Sequence, residues 1–203
     1  MSQTGGTREQ NTGGRERLLA AAVRLFAAKG YAATSVRDIL RAAEVTAPVL
    51  YYHFGNKEGL FLALVRDGVE KVELARQKAF DEAATTVERI RGYCMASIAV
   101  RREFADLAWV VEAILSGPPD AAPRFDFRGV LTTMLCQLQE LVEEGITNGE
   151  LRACNPMHAS MVLVGLMEVA SRPRLFEMAG VDPDDQIEGM LAVILGGLAA
   201  PAN

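Results

Sequence analysis

The chain has 203 residues, half of them hydrophobic and 23% charged, with a net charge of −5 and a sequence pI near 5.2. That length can bury a sizeable core in one large domain or two small ones. No apolar segment follows a basic cluster as in a secretory leader, and the longest apolar runs, 161–167 and 190–200, fall short of a comfortable bilayer span.

Residues 1–13 are polar, rich in Gly and Thr and without apolar periodicity, so they read as a disordered N-terminal arm. With Arg8, and with Arg15 and Arg17 just beyond it, this is either a solvated tail or an arm able to reach a minor groove. From Arg15 to Lys29, Leu18, Leu19, Ala22, Val23 and Phe26 lie on one face of an amphipathic helix that Gly30 stops. Thr34 or Ser35 caps a second helix, with Asp38 in its first turn and Val36, Ile39 and Leu40 as its apolar stripe. Thr46 caps a third, in which Pro48 is tolerated in the first turn and Leu50 and Phe54 face inward. Asn56 caps a fourth, longer helix to about Ala79. Further helices are expected near 83–102, 104–116, 125–147, 156–171 and 184–199, broken at 116–119, at Asn148-Gly149 and at Asp182-Pro183. With no alternating strand and no internal repeat, the fold class is all-α.

The segment 34–57, TSVRDILRAAEVTAPVLYYHFGNK, is two short helices across a tight turn, the pattern of a helix-turn-helix. Gly30-Tyr31, Thr34-Ser35, Ile39, Ala43-x-Val45, Leu50-Tyr51-x-His53-Phe54 and Lys57-Glu58-x-Leu60 together resemble the tetracycline-repressor-like (TetR) family of transcriptional regulators. The motif covers about 45 residues, from the helix around Leu18 to Phe61. It departs from the family in having Glu44 where the turn usually carries Gly, and Pro48 where the recognition segment often does. A left-handed Glu44 costs roughly 1 kcal/mol.

The resemblance implies a helix-turn-helix DNA-binding domain over 14–60 and a larger ligand-sensing and dimerisation domain over 61–203. Charge supports the division: residues 1–66 carry nine Arg or Lys against five Asp or Glu, and the remainder twelve against twenty-one. An acidic total does not oppose nucleic-acid binding when the basic charge is local, although drift in composition can produce the same imbalance. By the resemblance, base edges are read from Arg37, Ala47, Pro48, Val49 and Tyr52, with Arg37 suited to guanine and the small apolar groups to thymine methyls. Phosphates fall to Thr34, Ser35, Thr46, Tyr51, His53 and Lys57. Packing of the Tyr51 and His53 rings beneath the motif is compatible with that role.

The two helices at 156–170 and 187–198 are apolar around too much of their circumference for lone surface helices. Either they form an intrachain core or they pair with their counterparts at a two-fold dimer axis, as the family does. Ala159, Ser160, Gly165, Ala192, Gly196 and Gly197 are the small residues for close approach. The resemblance also implies a small-molecule effector among the middle helices. Candidates there are Cys94, Met95, Trp109 and Glu112, then Met134, Gln137, Met161 and Met167, several of which are equally well read as core.

No phosphate loop, GxSxG or HExxH motif is present, and the histidines are too far apart in sequence to form a chelating pair. Cys94, Cys136 and Cys154 form no CxxC pair, which argues against a structural zinc site and for a reducing cytoplasm. No enzyme activity, cofactor, metal or membrane is implied. The expected partners are a double-stranded DNA operator, a small-molecule effector and a second copy of the chain. The competing reading is a dimeric helical ligand-binding or protein-interaction module without DNA binding. Retention of Thr34, Tyr51, His53 and Lys57 together speaks against it.

Overall fold

The computed structural model of the chain describes residues 6–115 and 123–199, with side chains from residue 13 onward apart from 115, 173 and 174. The break expected at 116–119 and residues 1–5 lie outside the described residues. The described residues are all-α, in ten helices: α1 (Gly6–Lys29), α2 (Val36–Ala43), α3 (Ala47–Phe54), α4 (Lys57–Asp81), α5 (Thr86–Glu103), α6 (Ala105–Leu115), α7 (Phe127–Thr147), α8 (Pro156–Ala170), α9 (Pro173–Ala179) and α10 (Pro183–Leu198). An isolated antiparallel bridge joins Leu151 to Ala199. Among the described residues no helix is long and apolar enough to cross a membrane.

Two expectations about the helices change. Helix α1 starts at Gly6, so residues 6–13 are helical where a disordered arm was expected. Once the Leu18–Phe26 face has nucleated a helix, extension adds one hydrogen bond per residue and needs no apolar pattern of its own. Helix α9 was not anticipated. Its seven residues are too few to show a period, although Pro173 at its start and left-handed Gly180 at its end (φ 69°) are ordinary helix boundaries.

The chain forms two compact units, Met1–Glu70 with Phe104–Phe125, and Lys71–Glu103 with Asp126–Asn203. In the first, α1 packs against α2, α3 and α6. Leu18, Phe26, Ile39, Leu50, Leu60 and Phe61 are fully or almost fully buried there. The rings of Phe26, Tyr31 and Phe61 meet with centroids 5.2–6.1 Å apart. The first unit therefore extends past the expected boundary at residue 60 and recruits α6, whose Leu107 and Val110 are buried. Leu107 Cδ2 would stand only 2.8 Å from a Cβ on Gly68, so the absence of a side chain there lets α4 and α6 touch.

In the second unit α7 packs on α5 and α8, and α8 on α10. Tyr93, Cys94, Leu138, Leu163, Met167 and Leu191 are at the centre of its core. Glu150 closes the start of α5, its carboxylate accepting from the Thr86 and Val87 amides at 2.9 and 3.2 Å and from the Thr86 hydroxyl at 3.1 Å. An anion at a helix start answers both the unpaired amides and the dipole.

Candidate nucleic-acid interface and the sensing core

Helix α2 begins with a reciprocal cap. The Asp38 amide donates to Ser35 Oγ at 3.1 Å, while the Ser35 amide and hydroxyl donate to Asp38 Oδ2 at 3.3 and 2.8 Å. The Ser35 hydroxyl holds the Asp38 carboxyl below its usual range. The turn after α2 bends through Glu44, which is left-handed at φ 53°, ψ 45° as the missing glycine predicts. Its amide reaches back to Arg41 O, and that of Val45 to Leu40 O at 3.2 Å. Helix α3 then starts from Thr46, whose side chain makes no capping bond, with Pro48 in the first turn where no amide is needed.

Of the residues expected to face DNA, Arg37, Thr46, Pro48, Tyr51 and Tyr52 are exposed. Tyr51 and Tyr52 show 54% and 74% of their surface, far more than aromatic rings ordinarily leave in water. Ala47 is half-buried, and His53 sits edge-on to Tyr52 with centroids 5.0 Å apart. Ser35 is exposed, but its hydroxyl is engaged in the cap.

Three of the set turn inward. Thr34 is 1% exposed and its hydroxyl donates to Gly30 O at 2.8 Å and Leu25 O at 3.3 Å, so it holds the end of α1 instead of reaching outward. Val49 is half-buried against α1, where a Cβ on Gly14 would come within 3.0 Å of its Cγ1. Lys57 Nζ donates to Tyr31 O and Thr34 O, both at 3.0 Å, and lies 4.2 Å from the Tyr31 ring centroid. The ammonium thereby closes two carbonyls of the α1–α2 connection, and burial pulls its pKa down. The motif discloses the types of these residues but not their direction: Thr34 is claimed by the end of α1, and Val49 and Lys57 by neighbours more than twenty residues away. Arg15, which stands just beyond the arm expected to be able to reach a minor groove, pairs with Asp67 at 3.1 Å and lies 5.9 Å from the Phe54 ring centroid.

The expected effector set divides between the units. Trp109 and Glu112 belong to the first; the other six belong to the second. There Cys94, Met134 and Met167 are core, Met95 packs beside them, and Met161 is exposed on α8. Gln137 joins a polar group that sequence reading passed over. The Tyr93 hydroxyl donates to Gln137 Oε1 at 2.9 Å, and Gln137 Nε2 donates to Glu73 Oε1 at 3.2 Å. Arg76, only 8% exposed, donates from Nε to Ser97 Oγ at 2.8 Å, lies 4.2 Å over the Tyr93 ring and has Nη1 3.5 Å from Glu73 Oε2. Burial lowers the Arg76 pKa and pushes the Cys94 thiol up to about 12, so that thiol stays protonated. Among the described residues no group of three His, Cys, Asp or Glu could hold a metal.

Of the small residues expected to allow close helix approach, Ala159 and Ser160 are instead buried within the unit, with the Ser160 hydroxyl bonded to Pro156 O at 2.8 Å. Gly165, Ala192, Gly196 and Gly197 do face outward, beside exposed Met161, Val162 and Val193.

Comparison with known proteins adds to this geometry. A family model described as "Bacterial regulatory proteins, tetR family" matches residues 18–64. The HTH-type transcriptional repressor KstR2 of Mycolicibacterium smegmatis is 26% identical over 196 residues, covering 95% of this chain and 94% of that protein. Among solved structures, the ketosteroid transcriptional regulator KstR2 of Mycobacterium tuberculosis superposes with a TM-score of 0.72 at 23% identity, covering 92% of this chain and 95% of that one. The fatty acid degradation regulator FadR of Bacillus halodurans gives 0.74 at 22% identity, covering 93% and 97%.

Proposed function

We propose that the chain, whose residues 18–64 match the model of the tetR family of bacterial regulatory proteins, is a DNA-binding transcriptional regulator of that kind, a homodimeric repressor that a small-molecule effector releases from a two-fold symmetric operator. The observation that carries the reading is the outward face of α3: Pro48, Tyr51 and Tyr52 stand exposed beside Thr46 and Arg37, on a helix held rigidly by buried Leu50. A short, braced helix with its outer side bare fits the major groove. Arg37 and Tyr52 read base edges; Thr46, Tyr51 and His53 contact phosphates; Thr34, Val49 and Lys57 set the angle at which α3 is presented.

Two-fold symmetry is supported by α8 and α10. Met161, Val162 and Gly165 on one, and Gly189, Val193, Gly196 and Gly197 on the other, form outward stripes of apolar and small residues at helical spacing. Such stripes bury their surface against a second copy. Similarity to a ketosteroid regulator and to a fatty acid degradation regulator supports an effector with an apolar carbon skeleton, bound in the Lys71–Glu103 and Asp126–Asn203 unit. Release requires that the effector bind more tightly to a dimer geometry that misplaces the two α3 helices than to the DNA-bound one.

Light scattering on the free protein and on its DNA complex tests the dimer. Two chains per particle are expected, and Val193→Asp, which sets a charge on a position 76% exposed in the single chain, yields monomers that bind DNA about 100-fold more weakly. A wild type that is monomeric at micromolar concentration contradicts the reading.

A further inference from the structure

We infer that Arg76 and Gln137 form a carboxylate receptor within the effector-binding unit, occupied in this structure by the chain's own Glu73, and that the effector is an amphiphilic monocarboxylic acid whose carboxylate displaces it. The inference deepens the proposed regulatory reading and rests on it only for the consequence at DNA.

The geometry is that of a built acceptor site. The Glu73 carboxylate is approached by two donors from different helices, Arg76 Nη1 at 3.5 Å and Gln137 Nε2 at 3.2 Å. Neither donor is free to turn away. Gln137 is oriented by the Tyr93 hydroxyl, which donates to its Oε1 at 2.9 Å and thereby aims its Nε2 protons at the carboxylate. Arg76 is fixed by its Nε bond to Ser97 Oγ at 2.8 Å, by the Tyr93 ring 4.2 Å away, and by Ser97 itself, whose hydroxyl donates to Tyr93 O at 2.6 Å. A planar guanidinium held this way is preorganised for a carboxylate.

The present occupant is poorly matched to it. Elsewhere in the same unit, on more open ground, Arg89 meets Glu144 at 2.7 Å and Arg101 meets Glu168 at 2.6 Å. Arg76 is the more deeply buried cation, where a close anion matters most, yet its carboxylate stands at 3.5 Å on a side chain 54% exposed. Glu73 can move into water once a ligand carboxylate takes its place beside Arg76, because its own side chain is already 54% exposed and the buried cation is then not left unpaired. Next to the site are the neutral Cys94 thiol and Met134, with Met95 packed against the same core, soft side chains able to repack around the body of an amphiphile. A neutral acceptor gains only an ordinary hydrogen bond from Arg76; a free carboxylate gains a charge-assisted one in a desolvated place.

Native mass spectrometry of the full-length protein tests this with two probe pools, the straight-chain alkanoates of about six to sixteen carbons with cholanoate, and the matching alcohols. The wild type is expected to retain at least one acid about tenfold or more tightly than its alcohol. Arg76→Gln loses that preference. Glu73→Gln, which keeps an acceptor for Gln137 but removes the competing charge, tightens acid binding several-fold, a gain that misfolding cannot produce. Retention of no acid, retention of alcohols equal to acids, or a preference that survives Arg76→Gln overturns the receptor, as does weaker acid binding in a folded Glu73→Gln. Operator anisotropy with the same ligands separates the two claims. Acid binding through Arg76 without release leaves the receptor standing and removes the release mechanism. Release by acids and alcohols alike, undiminished in Arg76→Gln, does the reverse.

Discussion

Two cations on α4, Lys57 and Arg76, each lie 4.2 Å from the centroid of a tyrosine ring, and each belongs to a different compact unit. Lys57 is closed by two backbone carbonyls at 3.0 Å that cannot leave, so its charge is architectural. Arg76 is closed by a hydroxyl and by a half-exposed carboxylate that can leave, so its charge can be exchanged. Burial disfavours both charges, but what answers the charge decides whether the residue braces a structure or receives a ligand.

The contrast breaks most severely if the first unit loses the core behind α3. Leu50→Ala, at a fully buried position, is expected to cost about 2–5 kcal/mol in chemical denaturation and to abolish operator binding while the particle remains a dimer. Retained operator affinity in that variant would mean that α3 is not held by this contact.

Lys57→Met sharpens the comparison. Loss of a charged donor to two carbonyls is expected to cost about 1.5–3 kcal/mol of stability and to weaken operator binding. Because the ammonium points inward, the slope of log affinity against log salt should stay unchanged; a slope reduced by about one would make Lys57 a direct phosphate contact. The smallest effect is a gain. Glu44→Gly relieves the left-handed backbone at φ 53° and should stabilise the first unit by about 1 kcal/mol, read as a rise in midpoint at constant slope.

Much of the first unit was legible because its signals are local. The Ser35–Asp38 cap, the left-handed turn at Glu44 and the inward Leu50 each follow from residues within a few positions of one another. The direction of Val49 was not legible, because it is set by Gly14 on α1. Nor was the allegiance of α6, which depends on Gly68 admitting Leu107. Thr34 and Lys57 carried the right chemistry for phosphate contact, but the carbonyls of the α1–α2 connection claim it first. In the second unit, Arg76 stands in a polar stretch, EKVELARQK, and reads as a solvated helix residue. Its burial comes from α5, and its network is closed by Gln137 on α7; no spacing along the chain announces either.

The most direct test of the central claim is selection of bound duplexes from a random DNA pool by the wild type and by a Tyr51→Ala, Tyr52→Ala double variant. An α3 that reads the major groove from each half of a dimer should enrich a palindrome with half-sites about one helical turn apart, and the variant, still folded and dimeric, should lose that enrichment. No enriched sequence from folded wild-type protein at low salt, or a palindrome retained in full by the variant, would contradict DNA reading through α3. The first result would favour a helical ligand-binding module that does not act on DNA.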